Sequence, residues 1–337
     1  MQTTESEVTF LSMGVRLSGT IERPGSPPIG TVLLFSGSGP QDRDESMAGH
    51  RPFARLSHDL AAAGYAVLRW DDRSVGGSEG DYLAASAETL VEDGANAMSL
   101  MRAETGDARH ILIGHSQGTL IAARTAAAHS DQTAALILLA GMGAPGREAL
   151  LDQHCAICRA EGWEEHEIAA SRDAKAEIFA ALAAAQGRLE SGESAILVLK
   201  DLEQKLYQRL LGGVPVDSLS ESEKADIGAA VDDLLEWEWR YLVTVDPADD
   251  LEKVECPVFA MTGDKDTQVD AGKNLEAIRT ACSNGRAPRV DVKTLENHNH
   301  LFQETASGAL SAYETAGPPF SDTALAAIRR WLAAINA

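Results

Sequence analysis

Residues 109–123, Arg-His-Ile-Leu-Ile-Gly-His-Ser-Gln-Gly-Thr-Leu-Ile-Ala-Ala, constrain the fold of this chain more than any other stretch. Ile111, Leu112 and Ile113 form a continuous apolar run, as a strand covered on both faces requires, whereas Thr119 to Ala128 is dense in helix formers. The five residues between them, Gly114-His115-Ser116-Gln117-Gly118, leave space only for a sharp turn. A serine wedged into such a reversal takes a strained backbone conformation. Glycines are then needed at 114 and 118, where a Cβ would collide with the neighbouring strand or helix. The Ser116 hydroxyl is left at the N-terminus of the new helix, where unpaired N–H groups and the helix dipole favour developing negative charge. A bare G-x-S-x-G is common in ordinary loops, so its content lies in this strand-to-helix context.

The same alternation runs through much of the chain. Val8–Leu11 and Val15–Ile21 read as a strand pair turning at Ser12-Met13-Gly14, and Thr31–Phe35 as a buried strand entering the loop Ser36-Gly37-Ser38-Gly39-Pro40-Gln41-Asp42-Arg43-Asp44-Glu45. A helix over His50–Ala63 stops at Gly64, and a strand over Tyr65–Trp70 enters the charged turn Asp71-Asp72-Arg73-Ser74. A helix over Ala87–Arg102, the Ser116 unit and a strand over Ala134–Leu139 follow. Strands and helices in strict succession predict a mostly parallel central sheet with helices on both faces. From Ala144 to about Tyr241 strand-like runs give way to Ala-, Glu- and Leu-rich helical segments. The expected organisation is a core of residues 1–143 and 246–337 with residues 144–245 as a helical cap insertion over the sheet's C-terminal edge. Within it Trp237, Trp239 and Tyr241 either pack together or line a pocket. The sheet resumes at Pro257–Thr262 and Val290–Leu295, and an amphipathic helix over Thr323–Ile335 closes the fold.

At 337 residues the chain is long enough for one large α/β core with an insertion. A formal net charge of −22 repels phosphate backbones and anionic lipid, which argues against nucleic-acid or membrane-surface binding. The first residues are polar, with neither a basic start nor an apolar core, and no segment has the length and apolarity of a membrane span. The expected location is therefore cytoplasmic. Four cysteines, Cys155, Cys158, Cys256 and Cys282, are too scattered for a disulfide framework. Cys155 and Cys158 have no second ligand pair for zinc and no small βαβ context for redox chemistry, so they read as ordinary helix thiols.

Ser116, an aspartate at 264 or 266 and a histidine at 298 or 300 follow one another, each just after an expected strand. A serine hydroxyl is a poor nucleophile until an imidazole takes its proton, and the imidazole needs a carboxylate to fix its tautomer. Acyl transfer also needs two N–H donors aimed at the oxyanion. The glycine-bearing loop after Thr31–Phe35 offers Ser38 N–H, and the turn after the nucleophile offers Gln117 N–H. The chain resembles an α/β-hydrolase, and more narrowly the bacterial serine esterases whose first loop reads close to Gly-Ser-Gly-Pro-Gln-Asp-Arg-Asp-Glu. The resemblance rests on Gly37–Glu45, Leu68–Arg73, Gly114–Gly118, Asp246-Pro247, Cys256-Pro257-Val258, Gly263-x-x-Asp266-x-Gln268-Val269 and Asn299–Gln303. Ser74 stands where that family usually has glycine. The resemblance implies the α/β-hydrolase fold, Asp266 as acid and His300 as base. It further implies hydrolysis of small carboxylic esters through an acyl-enzyme, with no metal or organic cofactor. Peptide or thioester substrates, acyl transfer to another acceptor, or a non-catalytic binding module are the alternatives.

Overall fold

The computed structural model describes residues 2–335. The strands are β1 (Thr3–Ser12), β2 (Val15–Pro24), β3 (Thr31–Phe35), β4 (Ala66–Trp70), β5 (His110–His115), β6 (Thr133–Leu139), β7 (Val258–Gly263) and β8 (Val290–Leu295). They form one sheet in the order β1-β2-β4-β3-β5-β6-β7-β8. The hairpin β1–β2 is antiparallel from Thr3↔Pro24 to Ser12↔Val15, and Met13 and Gly14, both at positive φ, close its turn. It is longer than its apolar pattern predicts, because the polar residues at the start of β1 lie exposed on an edge strand and satisfy only the ladder. β2 pairs antiparallel with β4, and every later pairing is parallel. The strands β3, β4, β5 and β7 are buried along their whole length, which is why they are mostly apolar, with Arg69 of β4 buried against Asp44.

After β3 the chain crosses to β4 on one side and then returns to lay β5 on the other. A crevice opens where connections diverge in this way, at the C-terminal strand ends of an open parallel sheet. The register pairs Phe35 with Gly114, so the segment Ser36–Ser38 and the turn His115–Gln117 leave the sheet side by side.

The core's first helices are α1 (Pro52–Ala62), α2 (Ala87–Thr105) and α3 (Gly118–Ala128). α1 begins two residues later than the periodicity suggests, because Pro52 suits the first helical position. α2 is capped by Ser86, whose side chain accepts from Thr89 N–H, and it ends at Gly106 in the left-handed conformation. The helical segment comprises α4 (Gly146–Ala160), α5 (Glu165–Glu190), α6 (Ala195–Leu211), α7 (Glu221–Leu235) and α8 (Trp237–Thr244); α9 (Ala248–Leu251), α10 (Ala271–Asn284) and α11 (Asp322–Ile335) complete the core. α10 carries a narrow buried stripe, Asn274, Leu275, Ile278, Ala281 and Cys282, and its start is marked by Asp270 accepting from Lys273 N–H at 2.7 Å. A large part of the apolar core lies between one sheet face and α1 and α11, with Phe53, Leu56, Phe259, Phe320, Ile328 and Trp331 among its members.

The chain divides into two compact units, Met1–Ala144 with Asp246–Ala337, and Pro145–Val245. The second unit has its own apolar interior, including Ile168, Phe179, Leu182, Val198, Leu202 and Leu206. Its ends meet, Gly146 N–H donating to Val245 O at 2.9 Å. Trp239 stacks on Phe179 with ring centroids 6.3 Å apart and Trp237 lies 6.1 Å from Tyr241, so these aromatics pack within the unit. Cys155 is half-buried and Cys158 buried, both as free thiols, and no metal-binding group of His, Cys, Asp or Glu occurs among the described residues. No described helix is long and apolar enough to cross a membrane.

Candidate active site

Ser116 sits at φ +53° between β5 and α3. A Cβ on Gly114 would lie 2.4 Å from Gly118 O, and one on Gly118 would lie 2.2 Å from Phe35 O. Glycine at both positions is therefore a steric condition of the turn, as its sequence context predicts. Ser116 N–H donates to Leu139 O at 2.9 Å, tying the turn to the end of β6. Its carbonyl accepts from Thr119 N–H and the Thr119 hydroxyl, at 3.0 and 2.6 Å. Gln117 is buried at the N-cap of α3, and Ser38 lies exposed on the adjoining loop. A cavity of about 20 Å³ lined by Ser36, Gly37, Asp72 and Gln117 is the size of about one water molecule and too small for an ester.

The loop after β7 folds Asp266 inward. Its Oδ1 accepts from Gln268 N–H at 2.8 Å and Val269 N–H at 2.9 Å, and its Oδ2 accepts from His300 Nδ1–H at 2.8 Å. The Asp266 side chain is wholly buried and that of His300 nearly so. The loop bearing His300, after β8, is held by Asn299, whose Oδ1 accepts from Leu301 and Gln303 N–H groups. The other two candidates have different partners. Asp264 is partly exposed and pairs with Lys265 Nζ at 3.2 Å. His298 donates through Nδ1 to Glu296 O at 2.7 Å and accepts through Nε2 from the Ser321 hydroxyl, also at 2.7 Å. Ser321 Oγ in turn accepts from Ala324 N–H in the first turn of α11. Of the alternatives open in the sequence, the structure brings together Asp266 and His300.

The charged motif between Gln41 and Glu45 is pinned almost residue by residue. Gln41 N–H donates to Asp72 Oδ2 at 2.9 Å, and Arg43 clamps Asp71 through Nε and Nη2 at 3.0 and 2.7 Å. Asp44 accepts from Arg69 Nε at 2.7 Å and also pairs with Arg51. Arg73 turns away to a bidentate pair with buried Asp93. Burial opposes the charge on Asp71, yet the Arg43 guanidinium and the Gly77 and Arg43 N–H groups hold its carboxyl below the usual range. Ser74 takes φ +63°, the conformation that favours glycine, with its hydroxyl donating to Arg73 O at 2.6 Å.

Two residues that sequence reasoning did not single out complete the picture. His115, immediately before the serine, is buried, with Nδ1 2.9 Å from Glu45 Oε1 and Nε2 3.0 Å from His300 O. Its ring centroid lies 4.9 Å from that of His300. The same Glu45 Oε1 accepts from Gly37 N–H at 2.7 Å. The available signal was slight: a glutamate ending the Asp-Arg-Asp-Glu run, and a titratable residue at the variable elbow position.

A sheet of this order, with a serine at a strained turn after its central strand and a buried Asp–His pair beside it, defines the class: the chain has the α/β-hydrolase fold. The family model described as serine aminopeptidase, S33, matches residues 47–177. Esterase EstD of Thermotoga maritima is 27% identical over 138 residues, which span 41% of this chain and 33% of that protein, about a third of the relative's length. An esterase of Pyrococcus furiosus superposes with a TM-score of 0.59 at 15% identity, over 100% of this chain and 92% of that one. A highly thermostable carboxyl esterase from Bacillus coagulans superposes with a TM-score of 0.58 at 18% identity, over 98% and 99%. At such identities the superpositions speak for the fold alone.

Proposed function

We propose that the chain is a serine carboxylesterase that hydrolyses small carboxylic esters through an acyl-enzyme. In this reading Ser116 attacks the ester carbonyl and His300 Nε2 takes its proton. Asp266 holds the ring with Nδ1 protonated, and the N–H groups of Ser38 and Gln117 receive the oxyanion. His300 then protonates the leaving alcohol and activates water for deacylation, a sequence that asks for no metal or organic cofactor. The observation that carries the reading is the buried 2.8 Å contact from His300 Nδ1 to Asp266 Oδ2, on a loop whose His300 carbonyl is bonded to the residue preceding Ser116. The esterase relative supports the ester assignment, and residues 144–245 are given the part of a cap. A fluorophosphonate probe should label the wild type and not Ser116→Ala, and chromogenic esters of increasing acyl length should be cleaved by the wild type alone. Labelling that survives in Ser116→Ala refutes the assignment.

The family model's description as a serine aminopeptidase favours a second reading, with a peptide amide as substrate and the same residues acting on it. An aminoacyl anilide assayed beside the esters separates the two. Faster kcat/KM on the anilide would replace the ester by the peptide bond.

A further inference from the structure

Resting on the serine-hydrolase reading above, we propose that Glu45 and His115 are positioning residues, a buried ion pair that locks the oxyanion loop, the nucleophile turn and the histidine loop into one arrangement. The hydrogen-bond roles leave little freedom. His300 O is a carbonyl and can only accept, so His115 Nε2 carries a proton. Nδ1 faces Glu45 Oε1, which also accepts from Gly37 N–H. With Glu45 ionised, both ring nitrogens are donors and His115 is an imidazolium.

One carboxylate oxygen and one ring thus join three loops that leave the sheet at the ends of β3, β5 and β8. Each has little tolerance. Glu45 is held at φ +54°, with its side chain and that of His115 each about 2% exposed. Its Oε2 is buried without a hydrogen-bond partner among the described residues, which leaves the contacts at Oε1 as those that hold the side chain. Taking two charges out of water is costly, and a well-packed apolar pair would often be no less stable. The pair's use is geometric. Fixing Gly37 N–H on Glu45 sets the plane of the loop that carries Ser38 N–H, and fixing His300 O sets the backbone that carries the base. Burial pulls the His115 imidazolium down, and the Glu45 carboxylate, the His300 carbonyl and the more distant Asp266 more than offset it, so its pKa lies above the ordinary histidine value. The ring therefore keeps its second proton to a higher pH than an ordinary histidine, and the pair is lost as pH rises through that raised value.

Glu45→Gln cannot replace the carboxylate. Its amide oxygen can still accept from Gly37 N–H, but without the carboxylate's charge the buried ring is neutral, and a neutral ring that keeps Nε2–H for His300 O presents a bare Nδ1 to that oxygen. At least one of the loops is released. Glu45→Gln and His115→Gln should each lower kcat on a chromogenic ester by about 10²-fold with KM changed by less than about threefold, the size expected of a slight misplacement of reacting groups. The double variant should lose no more than the worse single one, because the two act as a unit. The wild type should show an alkaline fall in kcat that His115→Gln lacks. Near-wild-type kcat in either single variant, multiplicative losses in the double variant, or an unchanged alkaline limb in His115→Gln would each overturn the proposal. Should the variants not fold, a pH titration of the wild type by ¹⁵N-histidine NMR decides, since His115 must stay doubly protonated to a higher pH than an ordinary histidine, and a ring that is neutral already below the ordinary histidine pKa refutes the pairing. A wild type that neither labels with fluorophosphonate nor cleaves esters would instead defeat the underlying hydrolase reading, leaving the NMR result to judge the pair.

Discussion

Replacing Asp266 by asparagine tests the site at the point where its geometry is most demanding. The carboxylate accepts three hydrogen bonds, two backbone N–H groups at Oδ1 and His300 Nδ1–H at Oδ2. An asparagine has one oxygen. Turning its NH₂ group toward Gln268 and Val269 would set it against two buried donors, each costing about 1–3 kcal/mol if left unsatisfied. The oxygen therefore stays on the two amides and the NH₂ group faces His300 Nδ1, which must become an acceptor. The imidazole proton moves to Nε2, the atom that should receive the serine proton, and the base is blocked. Turnover is expected to fall by about 10⁴, or about 5 kcal/mol of barrier, with KM little changed, because the substrate contacts are untouched. The assay is steady-state hydrolysis of a chromogenic ester, with active-site titration to count competent enzyme. Asp264→Asn is the control and should stay within about threefold, since Asp264 is partly exposed and its partners are Lys265 and the backbone N–H groups of Asn297 and His298, not the His300 ring. Asp266→Asn retaining more than about a tenth of wild-type turnover, or Asp264→Asn taking the larger loss, would refute the reasoning.

Three further outcomes follow from other parts of the molecule. Gly118→Ala puts a methyl group 2.2 Å from Phe35 O and should destabilise the fold by about 3 kcal/mol or more, read as a lowered denaturant midpoint; an unchanged midpoint would mean that the turn relaxes. Because Asp71's carboxyl is depressed by Arg43, its contribution is present above the unfolded pKa and lost as pH falls below about 4. Asp71→Asn should be less stable at pH 7 yet lose less of its thermal midpoint between pH 5 and 3, and parallel curves would contradict this. Burial pushes the Cys256 and Cys282 thiols up to about 12, so neither should react with a disulfide reagent at pH 8 until the chain unfolds; labelling of either in the native protein, located by mass spectrometry, would count against that burial.

Much of the architecture was legible in local sequence because the features that encode it are local. Largely apolar runs marked β3, β5 and β6, since strands covered on both faces need few polar residues, and Gly114 and Gly118 marked a turn whose neighbours admit no Cβ. The nucleophile candidate followed from that turn alone. Residues that lie within a turn or two of their partners reveal themselves in this way, because spacing and side-chain size already set their geometry.

What the chain order left open was decided by side-chain direction after the strands end. Asp264 and Asp266 are two residues apart, as are His298 and His300, and only the folded loops turn one aspartate onto one histidine while the other pair is spent on Lys265 and Ser321. Arg73 lies beside Asp71 and Asp72 in the chain yet pairs with Asp93 on α2. Glu45 and His115 are 70 residues apart and meet only because β3 lies beside β5, a pairing that comes from the sheet's order and not from any local pattern. Strand and turn formation is governed by neighbours along the chain; the meeting of charged side chains is governed by which strand ends the sheet brings together.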